Sequence, residues 1–249
     1  MNQPNPYESE ALLNLPDGSM HPGGLRLTAR AARLAGLHAG MAVADIGCGT
    51  GASAEYLSRI YRLTAVGLDI SQELIGLGLA QRPGVNLVHG NGERLPFARV
   101  SLDAILAECS LSLLQDLEHT LAQCYEALRP GGSLIVTDIY ARKSLADGTP
   151  QASPRTQADL VAMITQAAFE IAVVEDHTPA LRTFVALLAE QCGGLDKTRS
   201  LFCTSPGRTD IKLSELGYVL IVAKKGAPSR RSESGNGGLR GRGESAKHG

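Results

Sequence analysis

The run Asp45-Ile46-Gly47-Cys48-Gly49-Thr50-Gly51 constrains this chain more than any other stretch, because it falls where a strand ends and a helix begins. Met41-Ala42-Val43-Ala44 ahead of it reads as a short buried strand, and behind it apolar residues recur at helical spacing over residues 52–60 (Ala54, Leu57, Ile60). Three glycines in five residues turn the backbone sharply and leave no Cβ in the way of a ligand. The helix start beyond offers N–H groups and a positive dipole end to a polar group. A turn of this kind is a nucleotide-type binding loop.

The rest of the chain repeats the strand-then-helix pattern. Residues 63–68 form a second apolar strand that ends in Asp69, and Ser71 is placed to cap a helix through Ala80. Further strands are expected at 85–88, 102–107 and 133–138, with a helix over 113–128 stopped by Arg129-Pro130-Gly131-Gly132. A polar loop at 147–154 precedes a helix at 156–168, a sixth strand at 170–175, a helix at 181–191 and a last strand at 218–223. Such alternation calls for an α/β fold with a mostly parallel sheet covered on both faces.

Domain limits follow from what lies outside that pattern. Residues 1–40 carry Pro4, Pro6, Pro16 and Pro22, then an amphipathic helix near 25–37, and are expected to form an N-terminal cap or lid. His21-Pro22-Gly23-Gly24 supplies hinge-type glycines for such a lid. The main domain is expected over 41–225 with an insertion at 178–216. From 226 to 249 the chain is Gly, Ser and Arg with almost nothing to bury, so a disordered tail is expected.

Composition narrows the classes. The formal net charge is -1, which favours neither nucleic acid nor an anionic membrane as partner. No apolar run approaches the roughly 20 residues of a membrane span, and Pro4, Pro6, Asp17 and Gly18 break up any leader-like stretch. Five cysteines at irregular spacing, with no C-x-x-C, exclude an obvious zinc or disulfide framework and point to reduced thiols in the cytoplasm.

Two cofactor classes fit the glycine loop. The dinucleotide pattern G-x-G-x-x-G/A is met by Gly47, Gly49 and Ala52, with Asp69 following. A pyrophosphate would set its negative charge against the Asp45 carboxylate, whereas the ammonium and sulfonium of S-adenosylmethionine are favoured by it. Asp45 with Gly47, Gly49 and Gly51, the downstream Asp69, Gly90-Asn91-Gly92-Glu93-Arg94-Leu95-Pro96-Phe97 and Leu128-Arg129-Pro130-Gly131-Gly132 together resemble the ordered motifs of class I S-adenosylmethionine-dependent methyltransferases. Within that class the chain is most similar to the branch with ubiquinone/menaquinone C-methyltransferases and arsenite methyltransferases.

The resemblance implies a Rossmann-like, doubly wound seven-stranded sheet, mostly parallel, with an antiparallel last strand at its edge. It implies S-adenosyl-L-methionine as cofactor, held by Asp45, Gly47, Cys48, Gly49 and Gly51 at its aminoacid end. Asp69 with Ile70 would take the ribose, and Asn91, Gly92 and Glu93 the adenine side. Asn91 stands where the family has Asp; its amide oxygen can still accept from an amino group. Glu108, at the end of the fourth strand, is assigned to the cofactor and, with Cys109 and His177, to the catalytic region, either as general base or as counter-charge to the sulfonium. The implied activity is in-line methyl transfer to a small-molecule acceptor. Alternatives are a thiol-bound metalloid acceptor held by Cys109, Cys192 and Cys203, and a non-catalytic protein that binds S-adenosylmethionine.

Overall fold

The computed structural model describes residues 5–143, 155–195, 198 and 212–226. The strands are β1 (Ala42–Ile46), β2 (Thr64–Asp69), β3 (Leu87–His89), β4 (Leu102–Glu108), β5 (Leu128–Ala141), β6 (Phe169–Asp176) and β7 (Leu216–Lys225). They form one sheet in the order β3-β2-β1-β4-β5-β7-β6. β1 pairs in parallel with β2 and β4, β2 with β3, and β4 with β5; β7 pairs antiparallel with both β5 and β6. The helices are α1 (Glu10–Leu13), α2 (Gly24–Ala35), α3 (Ala52–Ile60), α4 (Gln72–Gln81), α5 (Leu117–Ala127), α6 (Gln157–Gln166) and α7 (Thr178–Cys192).

The doubly wound α/β architecture is as expected, but the place of the last strand is not. β7 is antiparallel yet lies inside the sheet, and β6 forms the edge. Burial explains the exchange. The first eight residues of β7 are all buried, as an interior strand requires, while β6 alternates buried or half-buried with exposed positions. A register shift between Ile171 and Val173 further breaks the ladder along that edge.

Period-two alternation sorts the core into two layers. Ala104 and Leu106 of β4 face the layer under α2, α3 and α7, with Leu27, Leu57 and Leu181. Ile105 and Ala107 face the other, under α5 and α6, with Leu121 and Ile164. A third small cluster, Leu12, Leu15, Phe184 and Leu188, fastens the N-terminal segment to α7.

Local signals account for most element ends. Ser71 caps α4 by accepting from Leu74 N at 3.0 Å, as its position predicts. Thr156 and Asp159 form a reciprocal capping box on α6. α5 starts four residues later than its apolar pattern suggests, because Asp116 caps it and Leu111–Leu113 make a single tighter turn instead. Arg129-Pro130-Gly131-Gly132 stops α5 by forming a bulge: Leu102 pairs with Leu128, and Ala104 with Ser133. The expected 147–154 loop, Cys203, most of the later part of the 178–216 insertion and the tail beyond 226 lie outside the described residues. No helix among the described residues is long and apolar enough to cross a membrane.

Candidate active site

β1 and β4 are neighbours, but the chain leaves them toward opposite sides of the sheet, which opens a crevice at their C-terminal ends. A cavity of about 680 Å³ occupies this crevice. Asp45 and Ile46 come to it from the end of β1, Asp69 from β2, Asn91 to Glu93 from the turn after β3, and Glu108 to Ser110 from β4. Tyr7 and Met20 to His21 reach it from the N-terminal segment.

The glycine loop forms one wall. Gly47, Gly49 and Gly51 all have positive φ (74°, 55° and 81°), and a Cβ on Gly47 would stand 2.5 Å from Ser110 Cβ. Gly47 N and Cys48 N donate to Leu68 O at 2.8 and 3.1 Å, tying the loop to the end of β2. Asp69 extends that tie: its Oδ2 accepts from Gly49 N at 2.7 Å, and its Oδ1 from Ser71 N at 2.8 Å. Each of its oxygens keeps a further lone pair toward the cavity. α3 begins at Ala52 with no side-chain cap.

Asp45 is the least compensated group of the site. It is 2% exposed, and its carboxylate draws no hydrogen bond among the described residues. Burial pushes its carboxyl well above the ordinary carboxylate range, and the nearby Glu108 charge pushes it further, against the smaller opposing pull of His21. A cation beside it would reverse both effects.

Glu108 is the opposite case. It accepts from Ser53 Oγ at 2.6 Å and Thr28 Oγ1 at 2.9 Å, and faces His21 Nε2 at 3.1 Å. Burial acts to raise its carboxyl, but the His21 charge and these donors outweigh burial and hold it below the ordinary range. A carboxylate so held is a weak proton acceptor, which fits a counter-charge better than a general base. Beside it Cys109 lines the cavity with a left-handed φ of 54°, its Sγ 3.3 Å from Tyr218 Oη. Burial pushes its thiol well above the usual value, so it stands there neutral.

The other expected positions divide. Cys48, Ile70, Asn91, Gly92 and Glu93 all line the cavity. Asn91 Oδ1 already accepts from Glu93 N at 2.8 Å, and the Glu93 carboxylate accepts from Gln115 N and Asp116 N, so both side chains also brace the loop. Leu95 and Phe97 pack against the α5 layer. His177 is the correction: it precedes α7, pairs with Glu175 at 3.1 Å and lines a separate groove. Strand six lies at the sheet edge, with β5 and β7 between it and β4, and this carries His177 away from the crevice. Of the three thiols considered for a metalloid, Cys109 lines the cavity, Cys192 ends α7 without lining it, and Cys203 is outside the described residues. No group of three metal-holding side chains forms among the described residues. Tyr7, His21, Thr28 and Ser53 were not foreseen as site residues; the signal present was the polar Thr28 within the apolar face of α2.

Comparison with known proteins agrees with this geometry. Residues 44–136 match the family model described as a methyltransferase domain. The chain is 34% identical over 113 residues to phthiotriol/phenolphthiotriol dimycocerosates methyltransferase 1 of Mycobacterium ulcerans (strain Agy99), which is 43% of this chain and 41% of that protein. It is 28% identical over 197 residues to the O-methyltransferase cnsE of Penicillium expansum, or 74% of this chain and 71% of that one. The solved structure of the [4+2]-cyclase SpnF has the same fold, with a TM-score of 0.68 at 24% identity over 81% of this chain and 80% of that chain. Residues 44–136 therefore form a methyltransferase domain, and in fold and sequence the chain is similar to class I methyltransferases that take S-adenosylmethionine as cofactor.

Proposed function

We propose that the protein transfers the methyl group of S-adenosylmethionine to an acidic oxygen, a carboxyl or an acidic hydroxyl, on a small and mostly apolar molecule. The observation that carries this reading is the composition of the cavity's two ends. Toward one end lie the glycine loop, with Met20 against Gly49, the buried Asp45 and the Asp69 carboxylate; toward the other, Tyr7 beside Cys109, with Leu113. The first end suits a cationic aminoacid group and a ribose, with Asn91 and Ile70 along the adenine side. The second is largely apolar.

When bound, the cofactor supplies an electrophilic methyl carbon on a sulfonium. The chain's part is to orient both reactants and exclude water. The acceptor end offers no ready base among the described residues: Glu108 is fully engaged, and burial raises both Cys109 and Tyr7 and keeps them protonated. An oxygen that ionises on its own needs no base, and the Tyr7 hydroxyl and Cys109 thiol can donate to it. The relatedness to an O-methyltransferase supports oxygen as the acceptor atom. The N-terminal segment acts as the cover of this site.

The test is turnover of radiolabelled S-adenosylmethionine against a panel of fatty acids, phenols, aliphatic alcohols and carbon acids. Label in carboxylic acids or phenols, with alcohols inert, is the expected outcome. Label confined to carbon acids or alcohols overturns the oxygen assignment. Cofactor binding with no transfer to any class favours the non-catalytic alternative.

A further inference from the structure

Glu108 is held by residues of three other segments, and the one with a titrating side chain, His21, belongs to the N-terminal segment. His21 and Glu108 are both buried, 5% and 7% exposed, and their side chains meet at 3.1 Å. The other ring nitrogen, Nδ1, faces the Pro22 carbonyl at 3.3 Å. An acceptor lies at each ring nitrogen, an arrangement that favours the doubly protonated imidazolium. The titratable groups that face this ring are all acids: Glu108 from β4, Asp45 from β1 and Asp17 from the segment itself. α2 and α3 bring only the hydroxyls of Thr28 and Ser53 to the cluster. Burial works against the charged ring, yet the Glu108 charge and hydrogen bond outweigh it and hold His21 above its ordinary range.

We propose that His21 is a positioning residue of the methyl-transfer site: as an imidazolium it fixes the Glu108 carboxylate and so couples seating of the N-terminal segment to binding of the cofactor. The proposal rests on the reading of the cavity as the S-adenosylmethionine site. Its charge arithmetic is specific. Asp45 and Glu108 with one imidazolium leave room for one further cation, which the cofactor brings. Loss of the imidazolium proton as pH rises removes the ion pair that seats the segment on Glu108, which weakens the cover over the cofactor by more than the bared carboxylates gain in attraction for its cation. Affinity should then fall at alkaline pH as His21 deprotonates.

The experiment is calorimetry of S-adenosylmethionine binding from pH 6 to 10 with the full chain, its His21→Gln and His21→Ala variants, and an NMR titration of the His21 ring. The wild type should show weaker binding on the alkaline side, with the His21 ring titrating above its ordinary range and dropping back in Glu108→Gln. His21→Gln keeps a donor for Glu108 without a charge or a titrating proton, so it should bind across the whole range about as weakly as the wild type does on its alkaline side, with a flat profile. His21→Ala should bind about ten-fold or more weakly. An alkaline limb that persists in His21→Gln, or a His21 ring that titrates at or below its ordinary value, overturns the proposal. No binding of S-adenosylmethionine by the wild type at any pH would instead overturn the cofactor reading beneath it.

Discussion

At the scale of single residues, the site is a problem in buried charge. Asp45 sits almost without solvent, beside Glu108, and burial with that neighbour keeps its carboxyl well above the ordinary range. A bound ammonium stabilises the carboxylate form, so cofactor binding should release a proton wherever Asp45 is protonated in the free protein. The sign follows: the raised group belongs to the free state, so affinity is full above its pKa and falls as pH drops through it. The dissociation constant should rise by up to about ten-fold per pH unit there. Calorimetry in two buffers of different ionisation enthalpy measures the released proton directly. Asp45→Asn should bind more weakly at neutral pH and release none; an unchanged proton count would falsify the placement of Asp45 beside the cation. Asp69→Ala should weaken binding by ten-fold or more, since a charged acceptor is worth about 1.5–3 kcal/mol and Asp69 also anchors Gly49 N.

These roles were legible to different degrees. Asp45, the glycines and Asp69 are local: each sits within a few residues of a strand end, and the sequence shows strand ends. His177 failed for the same reason. It too follows a strand, but its strand is the edge, and taking the last strand as the edge from the family resemblance set β6 closer to the crevice than it lies. His21, Thr28 and Ser53 converge on Glu108 from up to 87 residues away in sequence (21 against 108), so no spacing rule reaches them.

At the scale of elements, the run Leu216-Gly217-Tyr218-Val219-Leu220-Ile221-Val222-Ala223 did carry the sheet order. A continuous apolar run marks a strand covered on both faces, and the alternation of Phe169-Glu170-Ile171 into Val174-Glu175 marks an edge. α4 shows how an element holds the loop. Gly78 lies within it, and a Cβ there would stand 2.4 Å from Thr50 O in the glycine loop; a Cβ on Gly76 in the same helix meets nothing within 4 Å. Helix propensity alone favours alanine over glycine by about 1 kcal/mol at either position. Gly76→Ala should therefore raise stability by up to about 1 kcal/mol, whereas Gly78→Ala should lower it and weaken cofactor binding by displacing the loop. Denaturant unfolding of the two variants side by side, with cofactor binding, separates propensity from packing. Equal stabilisation of both would remove the case for a close helix–loop contact.

At the scale of the whole molecule, the question is how residues 5–23 of the N-terminal segment are attached, since α2 behind them belongs to the main core through Leu27, Ala31 and Ala35. That stretch crosses the crevice from one flank to the other: Glu8 accepts from Ser71 Oγ at 2.8 Å at the start of α4, and Leu12 and Leu15 pack on Phe184 and Leu188 of α7. That cluster is separate from the two layers that hold the sheet. Structure attached through its own small core can open without the rest unfolding. Removing a buried leucine side chain costs about 2–5 kcal/mol, and for Leu12→Ala that loss should fall on the docking of the segment rather than on the sheet. Global melting should then move little, while cofactor affinity falls because Tyr7, Met20 and His21 leave the cavity wall. Hydrogen exchange distinguishes the cases: amides of α1 and the start of α2 should lose protection in Leu12→Ala, and those of β1 and β4 should not. If instead all of these amides lose protection together and the melting temperature falls in proportion, the segment is part of one cooperative core and does not open over the site on its own.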